Sequence, residues 1–217
     1  MRLRTSLLVI AGFAAIAATA ALADDFNPPP WRGGPLTVAA EWEFISSNLL
    51  DMPPDYMNTV GDGIHDFNTN CFTHAHFENC YWQPDPQNPN DGRIFTTQEP
   101  GRILFFLCNW IDYYPYKYIW VQLTYGGMGT PFVQEVIAPN PGTNEWLNPL
   151  YGQLIEKWGT LGYMTEYWYL AFNPDREYVN VILPPNTWID QVWIDTISTL
   201  IIANEDMSWG GIKSLYK

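Results

Sequence analysis

Basic residues are scarce in this chain. Lys and Arg number 10 against 23 Asp and Glu in 217 residues, for a formal net charge of −13. A chain so poor in cations offers no basic surface to a phosphate backbone or an anionic bilayer, which excludes nucleic acid and charged membrane as primary partners. Charged residues make up only 15% of the sequence, well under the usual quarter. There are three Cys, so at most one disulfide forms within the chain and at least one thiol is left over. No Gly-x-Ser-x-Gly elbow, no His-Glu-x-x-His, no Gly-rich phosphate loop and no Asn-x-Ser/Thr site is present. Beyond residue 23 no apolar run reaches the ~18 residues of a membrane-spanning helix.

What is abundant is aromatic and turn-forming. Hydrophobic residues reach 47%, enough for a core, and aromatics 16%, with 11 Trp, beside 18 Pro and 16 Gly. Such a composition fits an all-β extracellular domain. The first residues agree with export. Arg2 and Arg4 precede an apolar run from Leu7 to Ala18, and Ala21-Leu22-Ala23 is a small-residue cleavage pattern. The expected organisation is a signal peptide over 1–23, a Pro/Gly-rich linker over 24–35, a β-domain over 36–198 and a C-terminal tail over 199–217. The processed protein is expected outside the cytoplasm, secreted or periplasmic, with no integral membrane segment.

Periodicity divides the domain into about eight strands. From Leu36 to Ser47, Val38, Ala40, Trp42 and Phe44 alternate with Thr37, Ala39, Glu41 and Glu43, the period of a half-buried strand. Further strands are read at Arg93–Glu99, Arg102–Asn109, Lys117–Tyr125, Phe132–Ala138, Tyr163–Phe172, Glu177–Leu183 and Thr187–Ser198. The first two of these are read as neighbours across a Pro100-Gly101 turn. Asn148 to Trp158, with Leu150, Leu154, Ile155 and Trp158 at helical spacing, is read as one short helix. Asp51 to Asp91 has little periodicity and is long for a loop, so it should hold short strands, an ion or a disulfide. The fold expected is a single antiparallel β-sandwich of jelly-roll type with a long irregular region.

Three segments carry a family resemblance. They are Pro29-Pro30-Trp31-Arg32-Gly33 with Glu41-Trp42-Glu43-Phe44, then Tyr118-Ile119-Trp120-Val121-Gln122, then Ile189-Asp190-Gln191-Val192-Trp193-Ile194-Asp195-Thr196. In that order they resemble secreted bacterial proteins of the PEP-CTERM type. The resemblance implies a signal peptide and a jelly-roll-like domain, and no established enzymatic activity. After Thr196 there is no Pro-Glu-Pro and no apolar tail with a basic end, so a freely secreted form is expected here.

Four groups of residues could carry chemistry. Cys71, His74, His76 and Cys80, with His65 upstream, have spacings that suit zinc, but in an exported chain a Cys71–Cys80 disulfide is the favoured reading. Cys108, in the most apolar strand, is expected to be a buried free thiol. Asp85, Asn88, Asn90 and Asp91 offer hard oxygen ligands for Ca²⁺, or plain turn chemistry. Tyr118, Trp120 and Gln122 share a strand face on which a sugar ring could stack while the amide holds a hydroxyl. Glu41 and Glu43 share another face and are the only candidates for polysaccharide hydrolysis or lysis. The leading expectation is a non-catalytic secreted module that binds a glycan or an extracellular protein. A polysaccharide-acting enzyme and a metal-binding protein are the alternatives.

Overall fold

The computed structural model of the chain describes residues 28–86, 88, 91–140 and 148–199. The proposed signal peptide, Asn90 and all of the tail beyond Thr199 lie outside the described residues. The described residues form strands and turns without helix. In chain order the strands are β1 (Thr37–Trp42), β2 (Tyr56–Val60), β3 (Asp66–Phe67), β4 (His74–Glu78), β5 (Tyr81–Pro84), β6 (Gly92–Phe95), β7 (Gly101–Cys108) and β8 (Trp110–Ile111). They continue as β9 (Tyr116–Gly127), β10 (Phe132–Ala138), β11 (Leu150–Tyr151), β12 (Gln153–Thr160), β13 (Tyr163–Leu170), β14 (Arg176–Leu183) and β15 (Thr187–Thr199).

Fifteen antiparallel strands thus form three sheets, where eight strands in one sandwich were expected. The larger sheet runs β12-β13-β9-β15-β1-β2, with β6 joined to β15 and β5 to β6; the second runs β11-β10-β14-β7-β4; β3 and β8 form a short ribbon. The two main sheets face each other across one apolar core, as alternating strands require. Val121, Val192 and Ile194 of the larger sheet meet Ile103, Phe105, Val179 and Val181 of the smaller there. Val38, Ala40 and Trp42 of β1, and Phe44 beyond it, are fully buried as expected, but Thr37 and Ala39 on the opposite face are 3% exposed, so the strand is covered on both faces there. Trp42 packs edge-on to Phe105 at 4.8 Å between ring centroids, and its indole N–H donates to the Met52 carbonyl at 3.2 Å.

Two expectations need correction. Residues 148–158 form β11 and the edge strand β12, not a helix. Trp158 pairs with Thr165 on β13 and sets its ring 4.8 Å from that of Trp120. Leu154 and Ile155 are left exposed, so tertiary pairing overrides a short helical spacing. Nor do the strands around Pro100-Gly101 pair with each other. β6 belongs to the larger sheet and β7 to the smaller, and the link between them crosses the sandwich. The Thr96 hydroxyl anchors that link by donating to the Pro184 carbonyl at 2.6 Å.

Candidate binding cleft at one end of the sandwich

The site begins with Asn109, which follows β7 and is 1% exposed. Its side chain joins three strands. The amide donates to Glu177 Oε1 at 2.5 Å, and its oxygen accepts the Thr196 hydroxyl proton at 2.6 Å. Its backbone N–H donates to the Asp175 carbonyl at 2.8 Å. The preceding residue, Cys108, is bonded to Cys71. The chain therefore leaves β7 along one fixed path into β8 and Asp112.

Beneath this path two charges face each other across the core. Lys117 on β9 is in phase with Ile119, Val121 and Leu123, and Glu177 on β14 with Val179 and Val181, so both point inward. Both side chains are fully buried, with Nζ and Oε2 3.6 Å apart. Nζ also donates to the Pro174 carbonyl at 2.5 Å. Burial pushes the Lys117 ammonium down and the Glu177 carboxyl up, each held partly in check by the other.

Above the pair lies a cleft of about 280 Å³ lined by Trp110, Ile111, Asp112, Pro139, Phe172, Asn173, Pro174 and Asp175. That volume is near the ~300 Å³ lower end for small-ligand sites. The wall is held by hydrogen bonds. Asp112 Oδ1 accepts from the Tyr114 backbone N–H at 2.9 Å and from the Asn173 amide. Asp175 Oδ2 accepts from Asn68 at 2.9 Å, and Asn173 Oδ1 accepts from Ser198 at 3.1 Å. Asp112 Oδ2 is buried and has no hydrogen-bond partner. The cleft can therefore offer the Asn173 amide and the half-buried Phe172 ring to one ligand, while Trp110, 9% exposed and packed 5.4 Å from Phe67, adds little surface.

The aromatic row expected to bind lies elsewhere and is covered. Tyr118, Trp120 and Gln122 share the outer face of the larger sheet, in register with Tyr169, Tyr167 and Thr165. They are 5%, 0% and 3% exposed. The reason is the segment read as a linker, whose described part folds back on the sheet. Trp31 packs against Trp120 and Tyr167 at 5.8 and 5.7 Å, and Arg32 stacks 4.2 Å above Trp193. The Arg32 guanidinium grips Asp195 with two hydrogen bonds of 2.6 Å. Gln122 accepts from the Tyr163 hydroxyl at 2.8 Å.

The cysteine pairing is also corrected. Cys71 is joined to Cys108 across 37 positions, and Cys80 is the buried free thiol. β4 runs antiparallel to β7 with His74 opposite Phe106, which places Cys71 beside Cys108 and carries Cys80 to the far end near Arg102. Burial pushes the Cys80 thiol up to about 12, which keeps it protonated.

The three histidines fall in two groups, His65 with Asp62, and His74 and His76 with Asp51. His65 bonds Asp62 at 2.8 Å and lies beside Tyr113 and Tyr114. His74 and His76 face the same way, as expected for i and i+2 on a strand, and lie 3.6 and 3.8 Å from Asp51. The calcium candidates close a turn: Asp91 N–H donates to the Asn88 carbonyl and Asp85 N–H to the Asp91 carbonyl, both at 2.9 Å. Arg93 then joins Asp85 at 3.0 Å to Asp190 at 2.8 Å. Among the described residues no group of three or more His, Cys, Asp or Glu is placed to hold a metal ion.

Glu41 and Glu43 do meet. Glu41 accepts from Gln191 at 2.6 Å. Burial, then the neighbouring charge of Glu43 with which it also hydrogen-bonds, raises its carboxyl to about 7. Glu41 therefore holds its proton to higher pH than a free glutamate does. Asp91 is raised to about 6, chiefly by burial and then by Asp190, Glu43 and Asp85.

The sequence reading missed Asp112, Asn173 and Asp175 as a site, and Asn109, Lys117 and Glu177 as its support. One signal for the support was available. Lys117 and Glu177 are charges standing in phase with core positions of otherwise apolar strands. No family model and no curated protein sequence matches the chain.

Proposed function

We propose that this chain is an exported, non-catalytic β-sandwich protein of jelly-roll kind that binds a glycan in the end cleft. The observation that carries the reading is the make-up of that cleft: the half-buried Phe172 ring and the small exposed part of Trp110 share one recess with Asp112, Asn173 and Asp175. A sugar ring presents an apolar C–H face and an equatorial rim of hydroxyls. Aromatic rings take the first, and carboxylates and amides take the second. The lining is held by a disulfide and a hydrogen-bonded Asn109, so little ordering entropy is lost on binding. Export rests on the N-terminal pattern of charge, apolar run and cleavage residues. The motif resemblance to PEP-CTERM-type proteins supports the architecture and adds no chemistry.

Titration of the purified protein against a panel of neutral, acidic and amino oligosaccharides tests the reading. Binding by wild type, weakened at least about tenfold in Phe172→Ala with unchanged circular dichroism, is the expected result. No binding across the panel would remove the glycan assignment.

A further inference from the structure

We infer that the side chains of Lys117 and Asn109 join in an amide bond, formed by the folded chain itself with release of ammonia. The argument is the placement of an amine, a carboxamide and a carboxyl in one buried spot. Lys117 enters from the larger sheet and Glu177 from the smaller, and Asn109 follows the last residue of β7. None of the three is more than 1% exposed. One carboxyl group flanks both partners. Glu177 Oε2 lies 3.6 Å from Lys117 Nζ, and Glu177 Oε1 accepts from the Asn109 amide at 2.5 Å. Thr196, itself fully buried, donates its hydroxyl to Asn109 Oδ1 at 2.6 Å.

These contacts are those of an acyl transfer. Burial favours the neutral forms, lowering the Lys117 ammonium and raising the Glu177 carboxyl, while their mutual attraction, and Asp112 and Asp175 on Lys117, pull the other way. A neutral Lys117 amine gives one N–H to the Pro174 carbonyl at 2.5 Å and keeps its lone pair for Asn109 Cγ. As the Nζ–Cγ bond forms, Nζ passes a proton to Glu177 Oε2. The charge gathering on Asn109 Oδ1 is met by the Thr196 hydroxyl. A protonated Oε1 gives its hydrogen to Nδ2, the Cγ–Nδ2 bond breaks and ammonia leaves. Glu177 ends as it began, a carboxylic acid, and the balance needs no co-reactant. The reaction runs once in each chain. The new bond ties the smaller sheet to the larger and closes residues 110–116 into a ring, which carries Trp110, Ile111 and Asp112 of the cleft wall.

The test is the intact mass of the purified, reduced and denatured chain, with its N-terminus established, followed by a chymotryptic digest. Chymotrypsin cuts after Trp110, Tyr113 and Tyr116, between the two positions. Wild type is expected about 17 Da below the mass of its sequence, the weight of one ammonia, with the loss on a branched peptide joining Asn109 to Lys117. Lys117→Met and Asn109→Ala should show the full masses of their own sequences. Asn109→Asp should expel water instead and arrive at the wild-type mass, because the linked product is the same. Glu177→Gln, with unchanged circular dichroism, should stay unlinked, which separates proton transfer from packing. Full mass in wild type, or the same loss confined to a linear peptide, would overturn the proposal whether or not the variants fold. A branched peptide joining Lys117 to Glu177 would also overturn it, since the carboxyl would then be the acyl partner. None of these outcomes bears on the glycan reading.

Discussion

Lys117 and Glu177, on strands of opposite sheets, stand 3.6 Å apart with no solvent exposure on either side chain. A buried pair of this kind adds little over an apolar pair, but breaking it leaves one charge uncompensated. Lys117→Met and Glu177→Gln should therefore each lower unfolding stability by about 3–5 kcal/mol, with the double variant costing clearly less than their sum. Urea denaturation of the four proteins measures the coupling. Lys117→Met should also weaken ligand binding, because Nζ holds the Pro174 carbonyl of the cleft wall.

The disulfide closes a loop of 37 positions between Cys71 and Cys108. Chain-entropy reasoning gives such a loop about 4 kcal/mol of stabilisation. Cys71→Ser should cost that order, whereas Cys80→Ala should cost what a small core truncation costs. Peptide mapping after alkylation under denaturing, non-reducing conditions should find label on Cys80 and a linked Cys71–Cys108 pair. A linked Cys71–Cys80 pair would contradict the assignment.

How much of this was readable in the residues depends on range. Strand alternation is local, so Val38, Ala40, Trp42 and Phe44 were correctly read as buried and all eight expected strands exist, but the cover over Thr37 and Ala39 on the other face has no local signal. The cysteine pairing is a matter of register between β4 and β7, and nearness along the chain favoured the wrong partner. The aromatic row on Tyr118 and Trp120 was placed on one face correctly, but its cover comes from Trp31 on a segment whose prolines read as a spacer. Asp112 and Asn173 lie 61 positions apart in two loops without periodicity, and their meeting has no local signature.

Arg32 and Asp195 fasten that cover, and Asp195 is fully buried, with its carboxyl raised to about 6 by desolvation despite the guanidinium. Replacing Arg32 with Met strands the carboxylate, and protonation is then its only relief. Arg32→Met should be destabilised most at about pH 8 and recover part of the loss at about pH 5. Denaturation midpoints at the two pH values measure this; a loss independent of pH would show that Arg32 acts through packing on Trp193 instead.

Glu41 sets a second pH dependence. Its native carboxyl titrates near about 7 against 4.5 for the ordinary group, so the folded chain holds the extra proton between those values. Stability from this group is thus present below about pH 4.5 and falls as pH rises through about 7. Glu41→Gln keeps an acceptor for Gln191 and removes the ionisation. Its stability relative to wild type should rise between about pH 5 and pH 8. A constant difference across that range would mean that the Glu41 carboxyl is not raised in the folded chain.

The central claim is that the ligand sits at the end of the sandwich, over Asn109 and the Lys117–Glu177 pair. A ¹H–¹⁵N correlation spectrum recorded during titration with the oligosaccharide of the panel that binds tightest tests it residue by residue. The account predicts saturable shifts at the Trp110 indole, the Asn173 side-chain amide and the backbone of Ile111 and Asp112, the residues that line the cleft. Shifts confined to the outer face, at Tyr56 and Trp193, or no shifts at all, would contradict it.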